Sequence, residues 1–174
     1  AGPVLYTKTC LLTHTPDARA NYYSPRALGR LQSLGDVVLH GGAMPLDTDA
    51  LLAIAKDCQV IVSDSATPVE GRVFASLPAL VAVLRVAVDI RNIDVAAASS
   101  AGVLVTHAGR SWVAAVSELA VGLMIDAARG ISRANVSYKA GQPPEVRMGR
   151  QLAGATAGVI GYGPLGRRVC ELLL

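Results

Sequence analysis

Short apolar runs that alternate with helical patterns constrain the fold of this chain more than any other feature. Turn residues bound each run, and a stretch of helical periodicity separates it from the next. The predicted strands are residues 4–6, 36–40, 60–63, 80–86 and 103–106. Strands that alternate with helices form right-handed βαβ units and a parallel sheet. The pattern therefore predicts an α/β protein with an open five-stranded sheet, flavodoxin-like in outline, over residues 1 to about 105.

The helices between these strands are predicted from their capping residues. They span residues 24–34, 47–56, 70–76 and 94–100. Ser24 and Pro25 are residue types favoured at the N-cap and at the first helical position, and Gly102 is a typical stop. In the second of these helices, Leu51, Leu52 and Ile54 are predicted to face the core.

A longer helical pattern runs from residue 111 to about residue 138. Val116, Leu119 and Leu123 form one apolar stripe, whereas Ile125 lies on another side. A helix that is apolar over much of its circumference must be covered by more than one neighbour. We expect it to be buried against another lobe or a partner subunit.

A glycine-rich turn follows the last apolar run. Residues 155–160 predict a strand, and a G-x-G-x-x-G turn then leads into a helical pattern. In that context the glycines permit a tight turn, a close approach of backbone to a pyrophosphate, and contact between helix and strand. The residues predicted to hold the pyrophosphate are Gly161, Gly163, Pro164, Leu165 and Gly166. The alternative is an ordinary strand–helix turn that only needs small residues.

Composition argues against several functional classes. Charged residues make up 17% of the chain, the net charge is +3, and no run of like charges occurs. Binding to nucleic acid or to a membrane surface is therefore not expected, and charges interrupt every stretch long enough to span a bilayer. Cys10, Cys58 and Cys170 are far apart and lack metal-site spacing, which predicts reduced thiols, a cytoplasmic protein and no metal site.

Five segments carry a resemblance to a known family. They are residues 85–94 (RVAVDIRNID), 95–105 (VAAASSAGVLV), 116–120 (VSELA), 149–154 (GRQLAG) and 158–166 (GVIGYGPLG). In this order they resemble the NAD(P)-dependent D-isomer-specific 2-hydroxyacid dehydrogenases, the family of the phosphoglycerate dehydrogenases and glyoxylate/hydroxypyruvate reductases. The resemblance is loose before Leu80 and specific after it.

The resemblance implies a domain organisation and a reaction. Residues 1–105 would be a flavodoxin-like substrate domain, and residues 106–174 the N-terminal part of a Rossmann nucleotide-binding domain. It further implies NAD or NADP as cofactor, a small 2-keto or 2-hydroxy acid as substrate, and a homodimer formed through the nucleotide-binding domain. The catalytic Arg, Glu and His of the family are expected beyond residue 174, so no catalytic residue is assigned and the 174-residue chain is expected to be inactive.

The resemblance also places the substrate carboxylate at the backbone amides of Val88 and Asp89. This chain has Ala87 and Asp89 where the family has glycine, and Arg91 where the family has aspartate. An acidic side chain beside a carboxylate pocket is unfavourable unless it points away. The alternative is an ordinary loop in which Arg91 pairs with Asp89 or Asp94.

The remaining polar candidates are interpreted as structural. Pro164 stands where the family has a basic residue, and because proline has no N–H, one phosphate contact is expected to be lost or moved. Glu118 suits the start of a helix for electrostatic reasons alone. None of the three histidines, His14, His40 and His107, has a carboxylate at a spacing typical of a catalytic pair. His107 falls near the expected boundary between the two domains, where a hinge would lie.

Two other functions stay open. One is a non-catalytic protein of the same fold that senses the dinucleotide, as the co-repressors of this family do. The other is a single flavodoxin-like signalling domain, which would need an acidic cluster at the strand ends and would leave the glycine motif unexplained.

Overall fold

The computed structural model describes residues 9–174, which divide into two compact units. The first unit ends at Ala108 and the second comprises Gly109–Leu174. Each unit has its own packing and is described by itself. The predicted strand at residues 4–6 lies outside the described residues.

A five-stranded parallel sheet forms the centre of the first unit. Its strands are β1 (Cys10–Leu12), β2 (Val37–Leu39), β3 (Val60–Ser63), β4 (Ala82–Arg85) and β5 (Leu104–Thr106). The spatial order is β2-β1-β3-β4-β5, and every neighbouring pair is parallel. This is the flavodoxin-like order, so the predicted α/β class is confirmed. Because the winding reverses between β1 and β3, the carboxyl ends of these strands flank the point where ligands bind in such sheets.

Five helices connect the strands of the first unit. They are α1 (Pro16–Tyr22), α2 (Pro25–Gln32), α3 (Thr48–Ile54), α4 (Gly71–Ser76) and α5 (Val95–Ser100). Ser24, Asp47 and Asp94 accept hydrogen bonds from backbone amides of the helices that they cap, as their sequence positions predict. Helix α1 was not predicted, although Thr15 and Pro16 form the same start signal as Ser24 and Pro25.

The main core lies between the sheet and helices α3, α4 and α5. It is formed by these residues of the strands and helices: Leu11, Leu51, Ala55, Ile61, Val73, Phe74, Val83 and Ala98. Leu51 is buried and Leu52 packs partly buried against this core, as predicted, whereas the prediction for Ile54 is wrong because it is exposed. Ala55 is buried instead, since a residue four positions after Leu51 points closer to its direction than one three positions after it.

The second unit contains three helices, α6 (Val113–Arg129), α7 (Ile131–Lys139) and α8 (Pro164–Leu173). The prediction of one continuous helix over residues 111–138 is wrong at Gly130, where φ is 68°. Glycine adopts this left-handed conformation without a Cβ penalty and ends α6 there. The carboxylate of Asp126 then accepts hydrogen bonds from the amide and the hydroxyl of Ser132, both at 2.6 Å. These two bonds start α7 as a separate helix.

Residues 155–160 do not form the predicted strand. The structure has no β-strand within residues 109–174, and a strand exists only where another segment pairs with its backbone. Helix α6 packs against α8, and Ser117 and Val169 are the buried residues of the two helices. Leu119 and Leu123 are 61% and 58% exposed, so the predicted burial of α6 is not provided by the described residues. None of the helices in residues 9–174 combines the length and apolarity needed to cross a membrane.

Candidate functional site

The loop that follows β4 presents two backbone amides that the fold does not use. The base of the loop is held by two hydrogen bonds, from the Val86 amide to β3 at 3.0 Å and from the Ala108 amide to the Ala87 carbonyl at 3.0 Å. The amides of Val88 and Asp89 donate to no other described residue, and both residues are exposed. Free backbone N–H groups in a turn attract anionic oxygens. These are the residues predicted to bind the substrate carboxylate.

Arg91 binds the Asp89 carboxylate that was expected to interfere with such an anion. The Arg91 Nη2 atom lies 2.6 Å from Asp89 Oδ2, and the Arg91 backbone amide donates to Asp89 Oδ1 at 2.9 Å. The guanidinium and the amide of Arg91 lower the pKa of Asp89 to about 2. The carboxylate is therefore ionised, and its charge is compensated within the loop. This is the pairing that the sequence offered as the alternative interpretation.

Arg85 joins the loop after β4 to the loop after β3. Its side chain is only 3% exposed, and it donates to the carbonyl oxygens of Asp64 and Thr67 and to Asn92 Oδ1, the last at 2.7 Å. Asn92 in turn donates to the Ser65 carbonyl at 3.0 Å. Burial lowers the pKa of Arg85, and the neighbouring carboxylates oppose that shift. The network holds the two loops at a fixed separation.

Asp64 organises the loop after β3, a role that the sequence analysis missed. Its Oδ1 atom accepts from the amides of Ala66 and Thr67 at 2.6 and 2.7 Å. Its Oδ2 atom accepts from the hydroxyls of Thr13 and Thr67 at 2.7 and 3.1 Å. Burial raises the pKa of this carboxyl, but the four hydrogen bonds outweigh burial and lower it. The available signal was an aspartate directly after a buried strand, since such residues form turns through their side chains.

A cavity of about 410 Å³ opens at the carboxyl ends of β1, β3 and β4, and we call it the switch-point cavity. It is lined by His14 after β1, by Asp64 and Ser65 after β3, and by Val86 and Ala87 after β4. Its volume lies in the range of small-molecule sites, roughly 300–1,000 Å³. Because Ala87 adjoins Val88 in the chain, the cavity is next to the two free amides.

The three histidines have different surroundings. His14 lines the switch-point cavity, and its ring packs edge-on against Tyr23 with a centroid distance of 5.1 Å. His40 is buried and its Nε2 atom lies 2.8 Å from the Met44 carbonyl oxygen, which gives it a structural partner. His107 is exposed, and its ring contacts the carbonyl of the adjacent residue. The interpretation of the histidines and of Glu118 as non-catalytic stays a prediction.

The glycine turn precedes α8 in the second unit. Gly161 has φ 92°, a conformation that favours glycine, and Gly163 is the N-cap of α8 with open space around its Cα. A Cβ on Gly166 would overlap the carbonyl oxygen of Gly161, so only glycine lets the helix contact the turn there. Pro164 occupies the first helical position and Leu165 follows it. The five predicted residues are thus contiguous around the start of one helix.

Two arginines bring positive charge to this turn. A cavity of about 420 Å³ at the start of α8 is lined by Gly163, Pro164, Arg110 and Arg167, among others. Arg110 and Arg167 form no ion pair with another described residue, whereas Arg168 pairs with an acidic side chain one helical turn later. Within residues 9–174, no group of His, Cys, Asp or Glu side chains has the arrangement of a metal site.

The sequence of this chain is similar to those of known proteins over most of its length. Residues 11–161 match the family described as D-isomer specific 2-hydroxyacid dehydrogenase, catalytic domain. The chain is 38% identical over 146 residues to the D-3-phosphoglycerate dehydrogenase of Methanocaldococcus jannaschii. It is 35% identical over 130 residues to the hydroxypyruvate reductase of Thermotoga maritima. These alignments cover 83% and 74% of this chain but only 27% and 42% of the relatives, so the chain spans less than half of their length.

The fold of this chain is also similar to that of a solved structure. The pyruvate reductase of Chlamydomonas reinhardtii superposes with a TM-score of 0.79 over 97% of this chain and 49% of its own. At 20% identity, this likeness is informative about the fold alone.

Proposed function

This chain belongs to the D-isomer specific 2-hydroxyacid dehydrogenase family, and from that premise we propose that it acts in an NAD(P)-dependent oxidoreductase. The reaction would transfer a hydride between the nicotinamide and a small 2-keto or 2-hydroxy acid. The observation that carries the proposal is that the family match at residues 11–161 includes both the free amides of Val88 and Asp89 and the left-handed glycine at residue 161.

The first unit would bind the substrate carboxylate. The amides of Val88 and Asp89 are free to donate to its two oxygens, and the buried Arg85 holds the loop that carries them. Arg91 neutralises the one acidic side chain of that loop. A carboxylate bound there would leave the reacting carbon next to the switch-point cavity.

The second unit would bind the cofactor diphosphate. The amides at the start of α8 carry partial positive charge, which favours an anion. Pro164 donates no hydrogen bond, so Arg110 and Arg167 would supply the charge that the family places at residue 164. When bound, the nicotinamide accepts the hydride from C2 of a hydroxy acid or returns it to a keto acid. We propose NAD or NADP without preference, since both share the diphosphate.

We further propose a homodimer formed through the second unit and a cytoplasmic location. Leu119 and Leu123 leave an apolar face of α6 exposed, and a second copy would cover it. The three cysteines are free thiols, two of them buried, which suits a reducing compartment.

A binding and turnover experiment tests the proposed function. We expect NADH or NADPH fluorescence to change on titration with the native protein at its full natural length, and the absorbance of the reduced cofactor to fall when a 2-keto acid is added. The lack of any response to either dinucleotide would contradict the proposal. Dinucleotide binding without turnover of any 2-keto acid would favour the alternative, a dinucleotide-sensing protein without catalysis.

Substitution of Arg91 tests the carboxylate site. Arg91→Glu places two negative charges beside the amides of Val88 and Asp89, and we expect KM for a 2-keto acid to rise about ten-fold, with a smaller change in kcat. Lys56→Glu is the matched control because it makes the same charge change at an exposed residue between α3 and β3, at the amino ends of the strands. Equal KM values for the two variants would place the carboxylate elsewhere.

A further inference from the structure

His14 is buried at the wall of the switch-point cavity, and its imidazole has no hydrogen-bond partner among residues 9–174. The side chain is 5% exposed, and neither ring nitrogen forms a hydrogen bond with another described residue. Nδ1 is fully enclosed, whereas Nε2 is not. Tyr23 contacts the ring at an interplanar angle of 81° and so fixes its plane. Because Nδ1 is enclosed, a ligand in the cavity can bond only to Nε2, which forms no hydrogen bond with another described residue.

The protonation state of His14 limits which ligand group suits it. Burial lowers the pKa of His14, the charges of Arg19 and Arg85 add to this shift, and Asp64 opposes it. The imidazole is therefore neutral at neutral pH, and Nε2 is either a donor or an acceptor depending on the tautomer. A hydroxyl group bonds to Nε2 in both cases because it donates and accepts. An alkyl group bonds in neither.

The charge of the cavity wall argues against an anionic ligand group. Asp64 is ionised, and its four hydrogen bonds are all made to Thr13, Ala66 and Thr67. No lysine or arginine is among the described residues that line the cavity. Arg19 lies behind the wall, where its Nη1 atom donates to the carbonyls of His14 and His40. A phosphate or second carboxylate would thus meet a negative charge without a cation to bind it.

We propose that His14 selects the substituent at C3 of the substrate, favouring a neutral hydroxyl over an alkyl group and excluding a phosphate. The inference rests on the proposed function, which puts the substrate carboxylate on the amides of Val88 and Asp89. Ala87, the residue before these amides, lies in the cavity wall, and the proposal has the carbon chain of the substrate extend from the amides into that cavity. His14 is then a specificity residue and takes no part in the hydride transfer.

Three acids that differ only at C3 test this proposal. D-glycerate carries a hydroxyl there, D-lactate carries hydrogen, and 3-phospho-D-glycerate carries a phosphate ester. With the native protein and oxidised cofactor, we expect kcat/KM for D-glycerate to exceed that for D-lactate about ten-fold, the size of one neutral hydrogen bond. We expect 3-phospho-D-glycerate to be the poorest substrate of the three.

The outcomes separate this proposal from the one on which it rests. Equal kcat/KM values for D-glycerate and D-lactate, or a preference for the phosphorylated acid, would overturn the role of His14 and leave the dehydrogenase function standing. Binding of NADH with no turnover of any of the three acids would also overturn it. A protein that binds neither dinucleotide would overturn both proposals.

Variants of His14 add a direct test. His14→Phe keeps the ring against Tyr23 but removes both nitrogens, so the ratio of kcat/KM between D-glycerate and D-lactate should fall to about one. His107→Phe, at an exposed histidine outside the cavity, should keep the ratio of the unmodified protein. Nitrogen NMR of the unmodified protein provides a test that does not depend on the folding of a variant. The Nε2 signal of His14 should shift when D-glycerate is added and should stay in place when D-lactate is added. An unchanged signal with both acids would contradict the proposal.

Discussion

Individual side chains in this protein act mainly by fixing the backbone of loops. Arg85 and Asn92 direct their hydrogen bonds to main-chain atoms or to one another, and Asp64 accepts from two backbone amides and two threonine hydroxyls. Together they hold the loops after β3 and β4. Gly166 contributes because it has no side chain: a Cβ at this position would overlap the Gly161 carbonyl oxygen. The candidate site therefore depends on residues whose main role is to hold the backbone of its loops.

Gly166→Ala should destabilise the glycine turn. The added Cβ overlaps a backbone oxygen of a left-handed turn, and overpacking of this kind costs about 1–3 kcal/mol, which exceeds the gain of about 1 kcal/mol from alanine in a helix. We expect a net loss of up to about 2 kcal/mol in the free energy of unfolding, measured by urea denaturation. Gly158→Ala is the control, because the space around that glycine is open. Equal stabilities of the two variants would show that helix and turn are not in contact.

Asp64 should make stability depend on pH. Its carboxyl has a lowered pKa in the folded state, so its contribution is complete above the pKa of the unfolded chain, about 3.9, and is lost as pH falls through the folded value. Asp64→Asn should cost about 2 kcal/mol near pH 7, and its difference from the unmodified protein should shrink below about pH 4. The exposed Asp57→Asn is the matched control. A difference that is constant from pH 7 to pH 3 would contradict this role.

At the scale of elements, the interruption at Gly130 decides how the second unit is built. The left-handed backbone there turns one predicted helix into α6 and α7, and the Gly130 amide donates to the Asp126 carbonyl at 2.7 Å to complete the end of α6. Asp126 then caps α7 with its carboxylate. One short segment, Asp126 to Ser132, thus ends one helix and begins the next.

Two glycine substitutions on α6 should have opposite effects. Gly130→Ala forces alanine into a left-handed conformation and should lower the free energy of unfolding by about 1 kcal/mol. Gly122→Ala lies within the same helix with open space around it, and should raise that free energy by up to about 1 kcal/mol. Thermal unfolding of both variants compares the signs directly. A stabilising Gly130→Ala would mean that α6 and α7 are continuous in solution.

At the scale of the whole molecule, the strand order determines where chemistry is possible. The order β2-β1-β3-β4-β5 brings together the carboxyl ends of three strands that are distant in the sequence, and His14, Asp64 and Ala87 lie within two residues of those ends. The second unit adds the glycine turn at the start of α8. It also leaves the apolar face of α6 exposed, which supports the proposal of a homodimer.

Leu123→Glu should separate the proposed dimer into monomers. The substitution places a charge in the apolar face of α6, and burying an unpaired charge in an interface is unfavourable. Light scattering across a concentration series should give half the mass of the unmodified protein. Val146→Glu, also at an exposed apolar residue but outside α6, should leave the mass unchanged. An unmodified protein that is monomeric at all concentrations would refute the dimer.

Local signals in the sequence were sufficient for most elements. The caps at Ser24, Asp47 and Asp94 and the run at Val60–Ser63 are short-range features, and the structure contains them as predicted. The errors at Gly130 and at residues 155–160 had different causes. Gly130 ended a pattern whose apolar periodicity continued beyond it, and residues 155–160 had strand propensity without a strand to pair with.

By itself, the sequence determined the α/β alternation, the flavodoxin-like sheet and the glycine spacing, because each is encoded by residues that are neighbours in the chain. Only the tertiary structure decided that His14 lines a cavity without a hydrogen-bond partner among the described residues, that Thr13 after β1 bonds to Asp64, and that Arg91 neutralises Asp89. The first two depend on which strand ends meet at the edge of the sheet, and the third on how a loop closes on itself. Hydrogen bonds act over about 3 Å, so residues far apart in the chain interact only once the fold has brought them together.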